Sequence, residues 1–140
     1  MSDKILGLLG LMRRSSSVEI GEEKTRTAAR AGKARLILLA SDASENAGKR
    51  AEGFAAMHGT QLAVLPYTKE QVSAAVGVNG CSMAAVTDMG FANALMKALS
   101  ELNSEEYGEA AEEMRKRFQR AESRKAKTGA AIKRNGHKEV

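Results

Sequence analysis

A layered α/β fold is what this sequence predicts, and three observations carry it. Stretches with helical apolar spacing alternate with short apolar runs, of which Leu36-Ile37-Leu38-Leu39-Ala40 is the clearest. Glycine or proline closes several of these segments. Ser44, Thr68 and Asp88 stand where helices would begin and can cap them. Such alternation stacks helices on a sheet.

Ile5, Leu8, Leu9 and Met12 follow i, i+3, i+4, i+7 spacing, which predicts a helix with one buried face. Ser15-Ser16-Ser17 ends it. Ser17 to Ile20 alternates polar and apolar, as a short strand does, and Gly21 turns the chain. Glu22 and Glu23 open a slim helix, where their charge suits the positive end of the dipole; Gly32 ends it. Leu36 to Ala40 reads as a central strand buried on both faces. The Ser44-capped helix carries Ala47, Ala51, Phe54, Ala55 and His58 on one side, and Gly59 ends it. Gln61 to Leu65 reads as another central strand stopped by Pro66. Thr68-Lys69-Glu70-Gln71 is a capping box for a short helix ending at Gly77. Met83 to Thr87 is a further strand. Asp88 then caps a helix with Phe91, Leu95, Ala98, Leu99 and Leu102 inward, so the core closes near residue 102.

The last residues differ. Tyr107, Ala111, Met114, Phe118 and Ala121 form a short coiled-coil-like stripe. By default it folds back on its own domain; a docking helix for a protein partner, or a self-associating pair, is the alternative. Glu113 with Arg117 and Glu112 with Lys116 offer i, i+4 pairing. Met114 to Lys138 holds ten Lys or Arg against one acid, Glu122. From Thr128 onward apolar periodicity is lost, which predicts disorder. The organisation expected is therefore residues 1–102 as the α/β domain and 103–140 as a basic amphipathic helix with a flexible tail.

Composition narrows the function. The chain has 140 residues, a net charge of +5 and a single cysteine, Cys81. A domain of this size needs no staple, and one cysteine cannot form an internal disulfide. The positive balance favours anionic partners. Aromatics are only 4% with no Trp, which disfavours base stacking on an aromatic platform. The apolar stretch Ile5 to Met12 is too short to span a membrane, which takes ~20 residues. Arg13 and Arg14 follow it, the reverse of a signal peptide, so a cytoplasmic location and no membrane partner are expected.

No catalytic set can be placed. Cys81, His58 and His137 lack the positioned partners of a nucleophile–base pair. Cys and His are too few for metal ligation, and no glycine cluster ends in the Lys-Ser/Thr of a phosphate loop. No cofactor and no enzyme activity are expected.

Several motifs in fixed order make residues 4 to about 100 resemble the kink-turn RNA-binding ribosomal-protein family, of the L-seven-Ae and L-thirty-e type, and its small bacterial members most. They are Leu6-Gly7-Leu8, Ala34-Arg35-Leu36-Ile37-Leu38-Leu39-Ala40-Ser41-Asp42-Ala43-Ser44, Thr68-Lys69-Glu70-Gln71-Val72, Gly77, and Thr87-Asp88-Met89-Gly90-Phe91-Ala92. The resemblance implies a three-layer α/β/α sandwich around a four-stranded mixed sheet. It implies RNA docking at one end: on Gly21, Glu22, Glu23, Lys24, Arg26 and Thr27, on Ser41, Asp42 and Ala43, and on Val78, Asn79, Gly80, Cys81 and Ser82. The expected partner is a structured, ribosomal RNA.

The residues themselves fit that role. A helix starting at Glu22 exposes backbone donors that can hold a phosphate. Lys24, Arg26, Arg30 and Lys33 add charge along it, although a solvated helix face would read the same. Bulged RNA is recognised through unstacked nucleotides and backbone shape. Asp42 could equally end a strand or help cap the Ser44 helix. The chain departs from the family where Asn-Glu followed by Lys is common: Glu23, Lys24 and Thr27 stand there. Ser73 stands where glycine is usual. The basic cluster of Arg115, Lys116, Arg117, Arg120, Arg124, Lys125 and Lys127 adds sequence-independent RNA affinity through counterion release.

Overall fold

A computed structural model describes residues 3–139, with side chains described for residues 3–126. In chain order the elements are α1 (Lys4–Arg14), β1 (Val18–Ile20), α2 (Glu22–Arg30), β2 (Leu36–Leu39), α3 (Glu45–Ala56), β3 (Gln61–Val64), α4 (Lys69–Val76), β4 (Met83–Val86), α5 (Met89–Leu102) and α6 (Ser104–Glu139). The strands form one mixed sheet in the order β1-β4-β2-β3. β4 runs antiparallel to both neighbours, and β2 and β3 are parallel.

Alternation along the two central strands builds two cores. Leu36, Leu38, Ala84 and Val86 face α1, α4, α5 and the start of α6. Ile37, Leu39, Met83 and Ala85 face α2 and α3, where Ala28, Ala29, Ala51 and Phe54 pack. Successive strand side chains point to opposite faces, so both sides of β2 and β4 must be apolar. The helices thus sandwich the sheet, as the sequence predicts.

β3 is an edge strand, not a central one, because it pairs only with β2. On its outer side α6 makes two contacts where a strand would otherwise lie. The Tyr107 hydroxyl of α6 donates to the Val64 carbonyl (2.5 Å), and Gln61 Nε2 donates to the Ala110 carbonyl (3.1 Å). Occupying an edge carbonyl in this way hinders unwanted strand addition there. Val64 itself stays 43% exposed.

The core does not close at residue 102. Leu102 is 59% exposed, whereas Tyr107 and Met114 are buried among α1, α5 and the sheet. Met96 takes the inward place on α5. The Tyr107-to-Ala121 stripe therefore folds back on the domain. Glu112 pairs with Arg115 (2.6 Å) rather than with Lys116, and Glu113 pairs with Arg117 (2.8 Å). α6 continues as helix to Glu139, past the point at Thr128 where the sequence predicts disorder. An established helix propagates without a buried face, and an apolar-spacing argument cannot register that. The side chains from Lys127 on lie outside those described. His58 lies beyond α3 and is exposed, so it is not part of that helix's packed side.

Asp3 is a cap that the apolar pattern does not reveal. Its Oδ1 accepts from the backbone N–H groups of Ile5 (2.9 Å) and Leu6 (3.2 Å), and its Oδ2 accepts from the Tyr67 hydroxyl (2.6 Å). The Tyr67 hydroxyl holds the Asp3 carboxyl below the usual carboxylate range, with partial burial opposing and the two N–H groups adding. A depressed folded value means this contribution is complete above the ordinary carboxylate pKa, ~3.9. It is lost as pH falls through the depressed value. Tyr67→Phe is expected to shrink the drop in urea midpoint between pH 7 and pH 3; an unchanged drop would show that Asp3 does not sense Tyr67.

Candidate nucleic-acid interface

Three connections meet at one end of the sheet: those after β1, after β2 and before β4. The Gly21 N–H donates to Met83 O (2.9 Å), and the Ala40 N–H donates to Ser82 O (2.8 Å). Gly21, Ser41-Asp42-Ala43 and the segment up to Ser82 are therefore neighbours across two strand spacings.

Gly21 sits at φ 100° and ψ 162°, a conformation open to glycine almost alone. No side chain caps α2 among the described residues, so the first N–H groups of the helix have no intrahelical partner. The helix start is held from behind. Thr25 is fully buried, and its hydroxyl donates to Gly21 O (2.7 Å). Glu23 and Lys24 are exposed, while Thr27 spends its hydroxyl on Glu23 O (3.1 Å). Glu22 is tied to α3 by Arg50 Nε (2.8 Å) and to Arg26 (3.6 Å), and Arg26 lies over the Phe54 ring (5.8 Å). Arg26 thus holds α2 against α3 as well as supplying charge.

Arg30 and Lys33 are not brought to this end. They lie at the far end of α2, where His58 approaches the Arg30 carbonyl (3.5 Å). A helix of nine residues is ~13 Å long, and that separates them from Gly21.

Ser41 and Asp42 are exposed. The Ser41 N–H donates to Tyr67 O (2.8 Å), and Asp42 Oδ1 accepts from the Lys69 N–H (2.7 Å). Asp42 therefore satisfies the start of α4 rather than the Ser44 helix. Ser44 caps its own helix by accepting from the Ala47 N–H (3.1 Å). Thr68 and Gln71 form the capping box expected of them.

The loop before β4 runs through two left-handed glycines, Gly77 (φ 72°) and Gly80 (φ 73°). Asn79 and Gly80 are exposed at its tip and share an open depression of about 550 Å³ with Lys69, Glu70 and Ser73. Cys81 turns inward: its thiol is buried, and burial pushes its pKa up, so the sulfur faces the core and not a ligand. Ser73 fastens this loop, a role that sequence reasoning registers only as a departure from glycine. Its Oγ donates to Lys69 O (2.6 Å) and accepts from the Cys81 N–H (2.8 Å), which pins the loop to α4. Ser73→Ala leaves that partly buried N–H without its partner. The expected cost is about 1–2 kcal/mol, with faster amide exchange at Cys81; unchanged exchange there would show that the loop is held by other contacts.

Charges around these loops nearly cancel. Glu22, Glu23, Asp42, Glu45 and Glu70 stand near Lys24, Arg26, Lys49, Arg50 and Lys69. Such a surface offers backbone donors and shape more than net field. Among the described residues no group of three or more His, Cys, Asp or Glu could hold a metal ion, and no helix is long and apolar enough to cross a membrane.

The chain is 34% identical over 96 residues to the RNA-binding protein YlxQ of Bacillus subtilis strain 168, across 66% of this chain and 91% of that protein. The chain belongs to the YlxQ family. The fold of this YlxQ-family chain also matches a solved structure of a protein of unknown function from Bacillus halodurans. The TM-score is 0.66 and the identity 26%, covering 71% of this chain and 99% of that one. No protein-family profile matches the chain.

Proposed function

We propose that this chain is a noncatalytic, cytoplasmic RNA-binding protein that recognises a bent, internally looped RNA of the kink-turn type and associates with the ribosome. One observation carries the reading: the uncapped start of α2 and two pinned loops meet at a single end of the sheet. The exposed N–H groups of α2 would hold a backbone phosphate, with Lys24 beside them. Asn79 and Gly80 would lie against an extruded nucleotide, where a glycine lets backbone approach a base. Ser41, Asp42, Ala43, Val78 and Ser82 would shape the floor between them. The mechanism is selection of one RNA conformation by a preformed surface, as is usual where RNA is read by shape.

The second reading is a protein-interaction module of the same fold, whose RNA affinity rests on α6 alone. It is favoured by Glu22 and Glu23, two adjacent acids at the start of α2 that would repel phosphate. The two readings part on one variant of the full chain, Lys24→Glu with Asn79→Ala. RNA recognition at the loops predicts that affinity for a kinked RNA falls about tenfold or more, since charge-assisted contacts are worth ~1.5–3 kcal/mol. The interaction-module reading predicts no change.

A further inference from the structure

Uncompensated positive charge gathers at the end of the sheet opposite the loops. There the strand ends stand in a row: Val18 opposes Val86, Val86 opposes Leu36, and Leu36 opposes Gln61. With adjacent strands ~4.8 Å apart, the row spans ~15 Å. The Thr87 N–H donates to Ser17 O (2.9 Å) and the Arg35 N–H to Val86 O (2.7 Å), so the connections here are neighbours too.

Arg13 and Arg14 end α1 just ahead of Ser17. Arg30 closes α2, and Lys33 follows it just ahead of Arg35. α6 delivers Arg124, which lines one depression with Arg35, Thr87 and Met89. All six cations are exposed, and none forms an ion pair among the described residues. Two acids line the depressions here. Asp88 shares the depression of Arg35 and Arg124, but its carboxylate accepts the Phe91 N–H (2.9 Å) as the cap of α5. Glu19 borders the depression that holds Lys33, which Lys24 and Thr87 also line.

We infer that this end is a second RNA-backbone surface, so that the protein grips one RNA segment at its loops and another at the opposite end of the sheet. The inference rests on the reading of this chain as RNA-binding. The surface is an open row and not an enclosed pocket, which suits a chain of phosphates better than a single anion. Five of the six cations are arginines, whose planar fork matches phosphate oxygens two at a time. The near-neutral loop end has no comparable field. In this arrangement the loops supply discrimination, and the opposite end supplies salt-sensitive affinity.

The test uses the full chain carrying Lys33→Gln, Arg35→Gln and Arg124→Gln. A control removes charge from neither surface: Lys4→Gln with Lys97→Gln. The first probe is a straight RNA duplex titrated over a range of salt. Each lost phosphate contact lowers the slope of log affinity against log salt by roughly 0.7–0.9, so the first variant should lose roughly 2–3 units of slope and the control none. The second probe is a labelled duplex offered to protein already saturated with a kinked RNA. Wild type and control should recruit it, and the first variant should not. Equal slope losses in both variants, an unchanged slope in the first, or no recruitment by wild type would each overturn the inference. If no form prefers kinked RNA yet only the first variant loses slope, the loop reading fails and the second surface stands. Should the triple variant not fold, Lys33→Gln and Arg124→Gln singly read one contact each.

Discussion

Met114→Ala is expected to lower the unfolding free energy by about 2–5 kcal/mol, the range for truncating a fully buried large side chain. Met114 has no exposed surface and lies in the same core as Leu9, Leu95 and Leu99. A domain of this size has ~5–15 kcal/mol in all, so the loss would show as a fall in melting temperature of roughly 10 °C. Leu102→Ala is the informative contrast. Leu102 is 59% exposed, and a surface substitution of this kind stays within ~0.5 kcal/mol. The pair distinguishes an α6 that completes the core from one that merely follows it. Comparable losses at Met114 and Leu102, or none at Met114, would contradict the packing described. For the same reason a chain cut near Asn103 would expose the α5 face and free the β3 edge. Tests of RNA binding therefore belong on the whole chain.

Gly21→Val is expected to weaken binding of a kinked RNA by about tenfold or more while costing about 1–3 kcal/mol of stability. No atom lies within 4 Å of the position a Cβ would take, so the cost comes from backbone conformation and not from collision. A β-branched residue cannot comfortably hold φ 100°, and relaxing it pulls the Gly21 N–H from Met83 O and tilts the start of α2. Gly53→Ala is the matching control. Gly53 lies within α3 with open space around it, where alanine is favoured by up to ~1 kcal/mol. Gly53→Ala should therefore raise stability and leave RNA binding unchanged. Full RNA affinity in Gly21→Val would remove the α2 start from the interface.

Much of the fold is legible in the sequence because local rules and tertiary structure agree there. Leu36 to Leu39 are all buried, as an unbroken apolar run predicts, and the caps at Ser44, Thr68 and Asp88 are in place. What stays hidden depends on long-range pairing. A run such as Gln61 to Leu65 looks the same whether or not a strand lies on its far side, and here only two contacts from α6 reach it. Leu102 and Met96 differ by less than two helical turns, and spacing alone does not decide which faces inward once a second helix packs on α5. The candidate site shows the same division. Gly21 and Gly80 announce themselves as glycines that turn the chain. The fastening of Glu22 by Arg50 joins segments far apart in sequence, and those by Thr25 and Ser73, though they reach only four and eight residues along the chain, have no signature in the apolar pattern. Arg30 shares a helix with Lys24 and Lys33 follows just beyond it, yet the direction of α2 carries both toward the opposite end of the sheet.

The measurement that tests the central claim most directly is a titration of the full chain against a kink-turn RNA and a straight duplex of equal length, at two salt concentrations. The account predicts a clear preference for the kinked RNA that persists at the higher salt, because the preference comes from shape at the Gly21 and Gly80 loops while the salt-sensitive part is common to both RNAs. Equal affinity for the two RNAs at both salts would contradict it, and would leave the basic surfaces as the whole of RNA binding.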